Sequence, residues 1–562
     1  MKLRLPRLLF ALGAVLAIAV VGFQLAGGWT GLALFYVKHF LSVDNAPFRE
    51  VSWKQGPAAP VASGPSDTAS RPPNVILVLV DDLGYSDLST LGGGVANGRV
   101  ATPNIDSLAQ RGVRFDASYS GNPTCAPSRA AIMTGRYPTR FGFELTPTPA
   151  IFMKLISRPT GRELPGREPV YFADREAGQP AYEDMGLPTS EITIARLLQS
   201  AGYHTVHIGK WHLGDSPKFR SYAHGFDESL SLQHGASMYL PSDDRRVVTA
   251  SPNFSTIDKF ILANQPWGVR FNDGEVFKPN RYLTDYFTDE AIRVIDANRH
   301  RPFFLYLAYN APHTPLQATR EDYDALDFIK DENLRIYAGM MRSLDRNIGR
   351  VLTALRERGL DDNTLVIFTS DNGAPHYTAL GARNAPFRGW KGTYFEGGIR
   401  VPLFMQWPAA LPQGVRVPGP AAHVDIFSTI AAAAGVQPPA DRVVDGVNLL
   451  PPARGEPNDL AQRAIFWRTD GYLTLREANW KLQVTEIPKK DWLFDLAADP
   501  TEQKNLAALH PERVAAMKAR IAQFNGEQIA PIWKSLAAIE VPIDRTIKEP
   551  PTPDEDYVYF SN

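Results

Sequence analysis

Val75-Ile-Leu-Val-Leu-Val80 is an unbroken apolar run, rich in β-branched residues. A strand with one wet face would alternate, so this pattern reads as a strand buried on both faces. Shorter runs of the same kind recur at Thr205–Ile208, Phe303–Tyr309, Leu365–Thr369 and Pro402–Trp407. Helical patterns lie between them. Thr102-Pro103 opens a helix, with Thr as N-cap and Pro in the first position, and Gly112 closes it. Ser190 opens a second helix ending near Ala201-Gly202. Asn333–Arg358 reads as a long amphipathic helix with Ile336, Met340, Leu344, Ile348, Val351 and Leu355 on one face. Strands alternating with helices imply an α/β fold with a mainly parallel central sheet flanked by helices. Near the C-terminus the texture changes. Ile465–Trp467, Tyr472–Arg476, Lys481–Thr485 and Trp492–Phe494 read as short strands with short connections, followed by a helix from Pro511 to Phe524. This is expected to be a smaller antiparallel α+β subdomain.

The N-terminus has a different solvent. Lys2, Arg4 and Arg7 precede an apolar run from Leu8 to Phe23 that Leu25–Gly28 extends towards the length of a membrane span. It is long for a cleaved signal, so an uncleaved anchor with an exported, periplasmic or otherwise extracytoplasmic body is expected. The expected division is an anchor at 1–43, a Pro/Ala/Ser-rich linker at 44–72, a catalytic domain at 73–455, the α+β subdomain at 456–530, and a Pro-rich acidic tail at 531–562. With 59 Lys plus Arg against 60 Asp plus Glu, the formal net charge is −1, which gives nucleic acid no overall field to follow. Cys125 is the only cysteine, so an internal disulfide and a cysteine-based zinc cluster are both excluded.

In open α/β sheets ligands bind beyond the carboxyl ends of the strands. Polar groups collect there repeatedly: Asp81-Asp82, then Gly209-Lys210-Trp211-His212, Asn310-Ala-Pro-His313, and Ser370-Asp371-Asn372-Gly373. Asp81, Asp82, Asp371 and Asn372 offer only oxygen, a donor set that suits Ca²⁺ or Mg²⁺ better than zinc. Spacing alone equally allows two separate acidic turns. Arg129, Lys210, Lys391, His212 and His313 suit an oxyanion, and a metal with cations describes a site for a sulfate or phosphate ester. The lone cysteine sits in Asn122-Pro-Thr-Cys-Ala-Pro-Ser-Arg129, which does not look like a core strand; its residues alone allow a thiolate nucleophile beside Arg129.

Cys125-Ala-Pro127-Ser-Arg129, followed by Thr134-Gly135, resembles the Cys-x-Pro-x-Arg signature of the type I sulfatases, members of the alkaline phosphatase superfamily. Gly202-Tyr-His-Thr-Val-His-Ile-Gly-Lys-Trp-His212 resembles their second signature. Asn74–Gly84, Thr102–Asp106, Ser370–Gly373, Gly389-Trp-Lys-Gly392 and Leu493–Leu506 follow the family order, so the resemblance covers about residues 73–525. It implies an alkaline-phosphatase-like fold and a sulfuric ester hydrolase of arylsulfatase type. It implies that Cys125 is oxidised to Cα-formylglycine by a formylglycine-generating enzyme during export. Asp81, Asp82, Asp371 and Asn372, with residue 125, would bind one Ca²⁺, with Mg²⁺ as the alternative. Arg129 would hold the modified residue, Lys210 and Lys391 would grip sulfate oxygens, His212 would contact a hydroxyl of residue 125, and His313 would help protonate the leaving oxygen. One hydroxyl of the hydrated aldehyde would attack sulfur and form a covalent sulfo-enzyme; the other would expel sulfate as the carbonyl re-forms. The alternative within the superfamily is a phosphonate monoester or phosphodiester hydrolase. His204, His207, His300, His376, His423 and Ser237 are read as ordinary residues. The long segments Glu144–Leu187 and Gly214–Asn280 are where substrate loops are expected, with aryl, sugar and polysaccharide sulfates all open.

Overall fold

The structure, a computed structural model, describes residues 45–59, 71–161, 163–251, 258, 259, 261, 262 and 266–561. The apolar segment expected to be an anchor, 1–43, lies outside the described residues, among which no helix is long and apolar enough to cross a membrane. The central sheet has ten strands in the spatial order Val415–Ala422, Val113–Tyr119, Leu403–Gln406, Thr364–Ser370, Asn74–Val80, Phe303–Ala308, His204–Gly209, Glu228–Leu232, Val269–Phe271 and Val276–Phe277. The five from Thr364–Ser370 to Glu228–Leu232 are mutually parallel. Leu403–Gln406 runs antiparallel to both its neighbours.

The first strand shows why its sequence has no polar position. Ile76, Val78 and Val80 enter one core; Val75, Leu77 and Leu79 enter the other, on the opposite face. The helix Glu332–Glu357 fills the first core with Ile336, Met340, Leu344, Ile348 and Val351. The helices Cys125–Thr134 and Val424–Ala433 fill the second. Parallel register then aligns the strand ends. Val80 pairs with Ser370, Leu79 with Ala308, and Gly209 with the same Ala308, so Asp81, Asp371, Asn310 and Lys210 all emerge at one edge. Gly209 is required there: its φ is +111°, and a Cβ would stand 1.9 Å from the Ala308 carbonyl oxygen.

Three expectations change. The helix expected from Ser190 begins at Ile194, because Thr193 is its N-cap and accepts the Arg196 N–H at 3.1 Å, while Glu191 turns to Arg136 at 2.9 Å. The stretch expected to be a linker is packed where it is described: Val51 and Trp53 are buried, and the Trp53 indole donates to Glu290 at 2.8 Å. The Pro-rich acidic stretch expected to be a tail is folded. Ala537–Pro542 and Tyr557–Ser561 pair with each other, and the former also pairs with Val170–Tyr171.

The antiparallel C-terminal sheet contains Ala464–Thr469, Tyr472–Glu477, Trp480–Glu486 and Lys489–Asp495 in sequence order. The helix Pro511–Gly526 covers one face, setting Val514, Met517 and Ile521 on Leu475, Leu482 and Leu493. A buried ionic cluster joins this sheet to the catalytic body. Lys481 Nζ lies 2.8 Å from Glu396 and 2.9 Å from Glu502, and all three side chains are fully buried.

Candidate active site

Cys125 is the first residue of a ten-residue helix in which every residue is buried. Asn122 sets the entry: its side-chain oxygen accepts from the Thr124 N–H at 3.1 Å and the Thr124 hydroxyl at 2.8 Å. Pro127 falls in the first turn, where a missing N–H costs nothing. The helix N-terminus thus faces the edge where the strands end, a setting that favours anions. Arg129, one turn further on, donates from Nε to Asp371 at 3.0 Å and from Nη1 to the Lys210 carbonyl at 2.8 Å, while its Nη2 lies 2.8 Å from Asp371 as an ion pair.

Three carboxylates and three cations meet here. Lys210 Nζ lies 2.6 Å from Asp81, and Lys391 Nζ lies 2.7 Å from Asp82 and 3.1 Å from Cys125 Sγ. The lysines expected to grip sulfate therefore sit on the aspartates. Burying three carboxylates without counter-charge would be prohibitive. Burial and the adjacent Asp371 push the Asp81 carboxyl up to about 7. Burial acts upward most strongly on Asp82 too, but Lys391, His313 and Lys210 together outweigh it and hold that carboxyl below its ordinary value. Burial, with Asp371, pushes the Cys125 thiol well up in spite of its lysine neighbour. Arg129, the activator expected for a thiolate at Cys125, is engaged with Asp371.

Asp81, Asp82, Cys125 and His313 each place a ligand atom within 4.8 Å of the others. His313 joins this group, beside the Asp371 and Asn372 that the family resemblance implies. One Asp371 oxygen takes Arg129, and the other accepts the Asp82 N–H at 3.2 Å. Asn372 donates to Asp82 at 2.7 Å, which leaves its own Oδ1 buried without a donor. Clustered carboxylates that repel one another, together with an orphaned amide oxygen, fit a hard divalent cation.

The histidines differ. Burial pushes His313 down to about 3. Its Nδ1 lies 2.5 Å from the Thr314 carbonyl and so carries the ring proton, leaving Nε2 bare, 3.5 Å from Asp82. Burial, then Lys210, also keeps His212 neutral, and its Nδ1 is buried without a partner. Asp82 and His212 both adopt φ +62°, a left-handed conformation uncommon outside glycine, and each lies within three residues of a strand end. His204 pairs with Glu228, His207 with Ser221, and His423 bridges Ser128 and Thr369. Ser237 donates to the backbone. His376 and Tyr377, by contrast, line the cleft, and the Tyr377 hydroxyl lies 3.4 Å from Asp82. Their signal was position, three and four residues beyond Ser370-Asp-Asn-Gly373.

Cys125, His212, His313 and Lys391 open into one cleft of about 1210 Å³. Both long segments expected to carry substrate loops contribute to its wall. His234-Gly235-Ala236 passes over His212 so closely that a Cβ on Gly235 would stand 2.3 Å from His212 Nε2. Gly235→Ala is therefore expected to displace that ring. We expect kcat to fall by roughly 10- to 100-fold, the cost of an ångström-scale misplacement, with thermal unfolding showing little change. Wild-type kcat in the variant would disprove a role for the His212 position.

The sulfatase family profile matches residues 73–436. The chain is 35% identical over 406 residues to N-acetylgalactosamine-6-sulfatase of Canis lupus familiaris, covering 71% of this chain and 69% of that one. It is 34% identical over 482 residues to steryl-sulfatase of Mus musculus, covering 74% and 70%. Among solved structures it is similar to Ps i-CgsB in complex with k-i-k-neocarrahexaose, with a TM-score of 0.67, 32% identity, and coverage of 82% of this chain and 95% of that one.

Proposed function

The chain belongs to the sulfatase family and is a sulfuric ester hydrolase; we propose that it cleaves its ester through a covalent sulfo-intermediate on residue 125, with one divalent metal ion. The observation that carries this reading is the placing of Cys125 at a buried helix N-terminus, 3.1 Å from Lys391 and 3.5 Å from Asp81, at the floor of a wide cleft. Converted to a hydrated aldehyde, residue 125 supplies two hydroxyls on one carbon, a nucleophile and an exit for sulfate. Asp81, Asp82, Asn372 Oδ1 and residue 125 would hold the metal, Ca²⁺ before Mg²⁺, and bound there it polarises a sulfuryl oxygen. Asp371 orients Arg129 and the Asp82 backbone. Lys210 and Lys391, held on Asp81 and Asp82, would offer their remaining ammonium donors to sulfate oxygens. His313 Nε2 is free to take up a proton and return it to the departing oxygen; His212 Nδ1 is a buried polar atom awaiting a hydroxyl. The maturation partner is a formylglycine-generating enzyme. The N-terminal segment would tether the exported body to the membrane, a placement checked by protease access in intact cells.

The test compares kcat/KM for one aryl group presented as sulfate, phosphonate monoester and phosphate diester. The chain is co-expressed with a formylglycine-generating enzyme, and Cys125→Ala is the control. Sulfate is expected to dominate, and the activity to vanish in the control. Prior chelation is expected to abolish turnover, with Ca²⁺ restoring more than Mg²⁺ does. Phosphonate or diester dominance would move the chain to the rival class, and undiminished turnover after chelation would refute the metal.

A further inference from the structure

Away from Cys125 the cleft is walled by stretches remote from one another in sequence. The helix Ala150–Ile156 contributes Ile151 and Phe152; the strand Ala537–Pro542 contributes Ile539 and Val541; the strand Tyr557–Ser561 contributes Phe560. Phe560 reaches the catalytic end, where a Cβ on Gly392, next to Lys391, would stand 3.3 Å from its ring. Ile151 is 75% exposed, an uncommon place for a large apolar side chain unless something covers it.

The two arginines enclosed beside this wall are spent on carboxylates. Arg167 lies 3.2 Å from Glu555 and over the Tyr557 ring at 4.1 Å, and Arg545 lies 2.6 Å from Glu555. Both arginines also face Glu540 at 3.7 Å. A polyanionic sugar chain needs unspent cations along its path; here it would meet two carboxylates as well as the arginines. Arg158, Lys259 and Lys548 also line the cleft but are exposed, where an ion pair is screened by water and worth little.

With sulfate held at residue 125, whatever covers the wall is the rest of the same molecule. We infer that the substrate is the sulfate ester of an apolar, multi-ring alcohol or phenol, whose ring system lies against Ile151, Phe152, Ile539, Val541 and Phe560. The inference rests on the sulfatase reading above. It gives the C-terminal strands a specificity role. The cleft, at about 1210 Å³, exceeds the roughly 300–1,000 Å³ usual for small-molecule sites, so more than a single ring fits.

The experiment uses the full chain with the aldehyde at residue 125 verified by mass spectrometry. We would measure kcat/KM for 4-nitrophenyl sulfate, a steroid 3-sulfate and N-acetylgalactosamine 6-sulfate. The steroid sulfate is expected to exceed the sugar sulfate by at least about tenfold. Ile151→Asp, at an exposed position where folding tolerates the charge, and Ile539→Asp are each expected to lower the steroid-to-nitrophenyl ratio by about tenfold. A sugar sulfate turned over as well as or better than the steroid sulfate overturns the inference. So does an equal loss on the steroid and nitrophenyl sulfates in both variants. Absence of turnover on all three sulfates, with the aldehyde present, overturns the sulfatase reading itself and this inference with it.

Discussion

Cys125→Ser protein is expected to accept one sulfuryl group per site and then stall, with multiple turnover lowered by about a thousandfold or more. The reason is the number of hydroxyls on one carbon. Serine can attack sulfur in the setting that Lys391 and the helix N-terminus provide, but its sulfate ester has no second hydroxyl through which a carbonyl could form and expel the product. The site does not rescue it. Residue 125 is 3% exposed, so an attacking water has little room on that side. The check is a single-turnover burst with a sulfo-adduct at residue 125 by mass spectrometry. Steady multiple turnover would refute the two-hydroxyl mechanism, and Cys125→Ala should show neither burst nor adduct.

Lys481→Met is expected to cost about 3–5 kcal/mol of stability, the loss typical when one partner of a buried ion pair is removed. Glu396 keeps Arg400 at 2.7 Å and the Tyr119 hydroxyl at 2.9 Å, but Glu502 loses its ammonium partner. The C-terminal sheet should loosen from the catalytic body first, since Lys481 belongs to the sheet and Glu396 to the body. Denaturant unfolding would read the loss. Adding Glu502→Gln should recover part of it, because an uncompensated charge has gone; no recovery would assign the effect to packing. Acid acts on the same cluster. Burial pushes the Glu396 carboxyl up, but Lys481 and Arg400 outweigh it and hold it at about 2. Its stabilisation is therefore present above the ordinary glutamate value and lost as pH falls towards 2.

The parallel core was legible because its strands are buried on both faces, and the site because parallel register delivers strand ends to one edge. Asp81, Lys210, His313 and Asp371 needed only that rule. The outer strands gave weaker signals. Val113–Tyr119 carries Arg114 and Asp116 on a half-exposed face, and Val415–Ala422 contains Pro418-Gly-Pro420 with a register shift. The C-terminal wall was illegible for a different reason. Phe560 reaches Gly392, and Arg167 meets Glu555, across hundreds of residues, and neither local periodicity nor composition encodes such meetings. The pairing of Lys210 and Lys391 with aspartates was hidden too, because charge balance in a buried cluster appears only once its members are assembled.

The burial of the Cys125 helix sets an order of events in biogenesis. A side chain on a helix with all ten residues enclosed is open only to what the cleft admits, and an enzyme that must hold the flanking residues does not fit there. An enzyme that oxidises this cysteine must therefore meet it on a chain that has not yet folded. Maturation and folding become competitors in time: a chain that collapses early traps its thiol unconverted, and the stability that later protects the enzyme guards that error equally well. Conditions that delay collapse should raise the fraction of competent molecules, so yield of activity and speed of folding are expected to run in opposite directions.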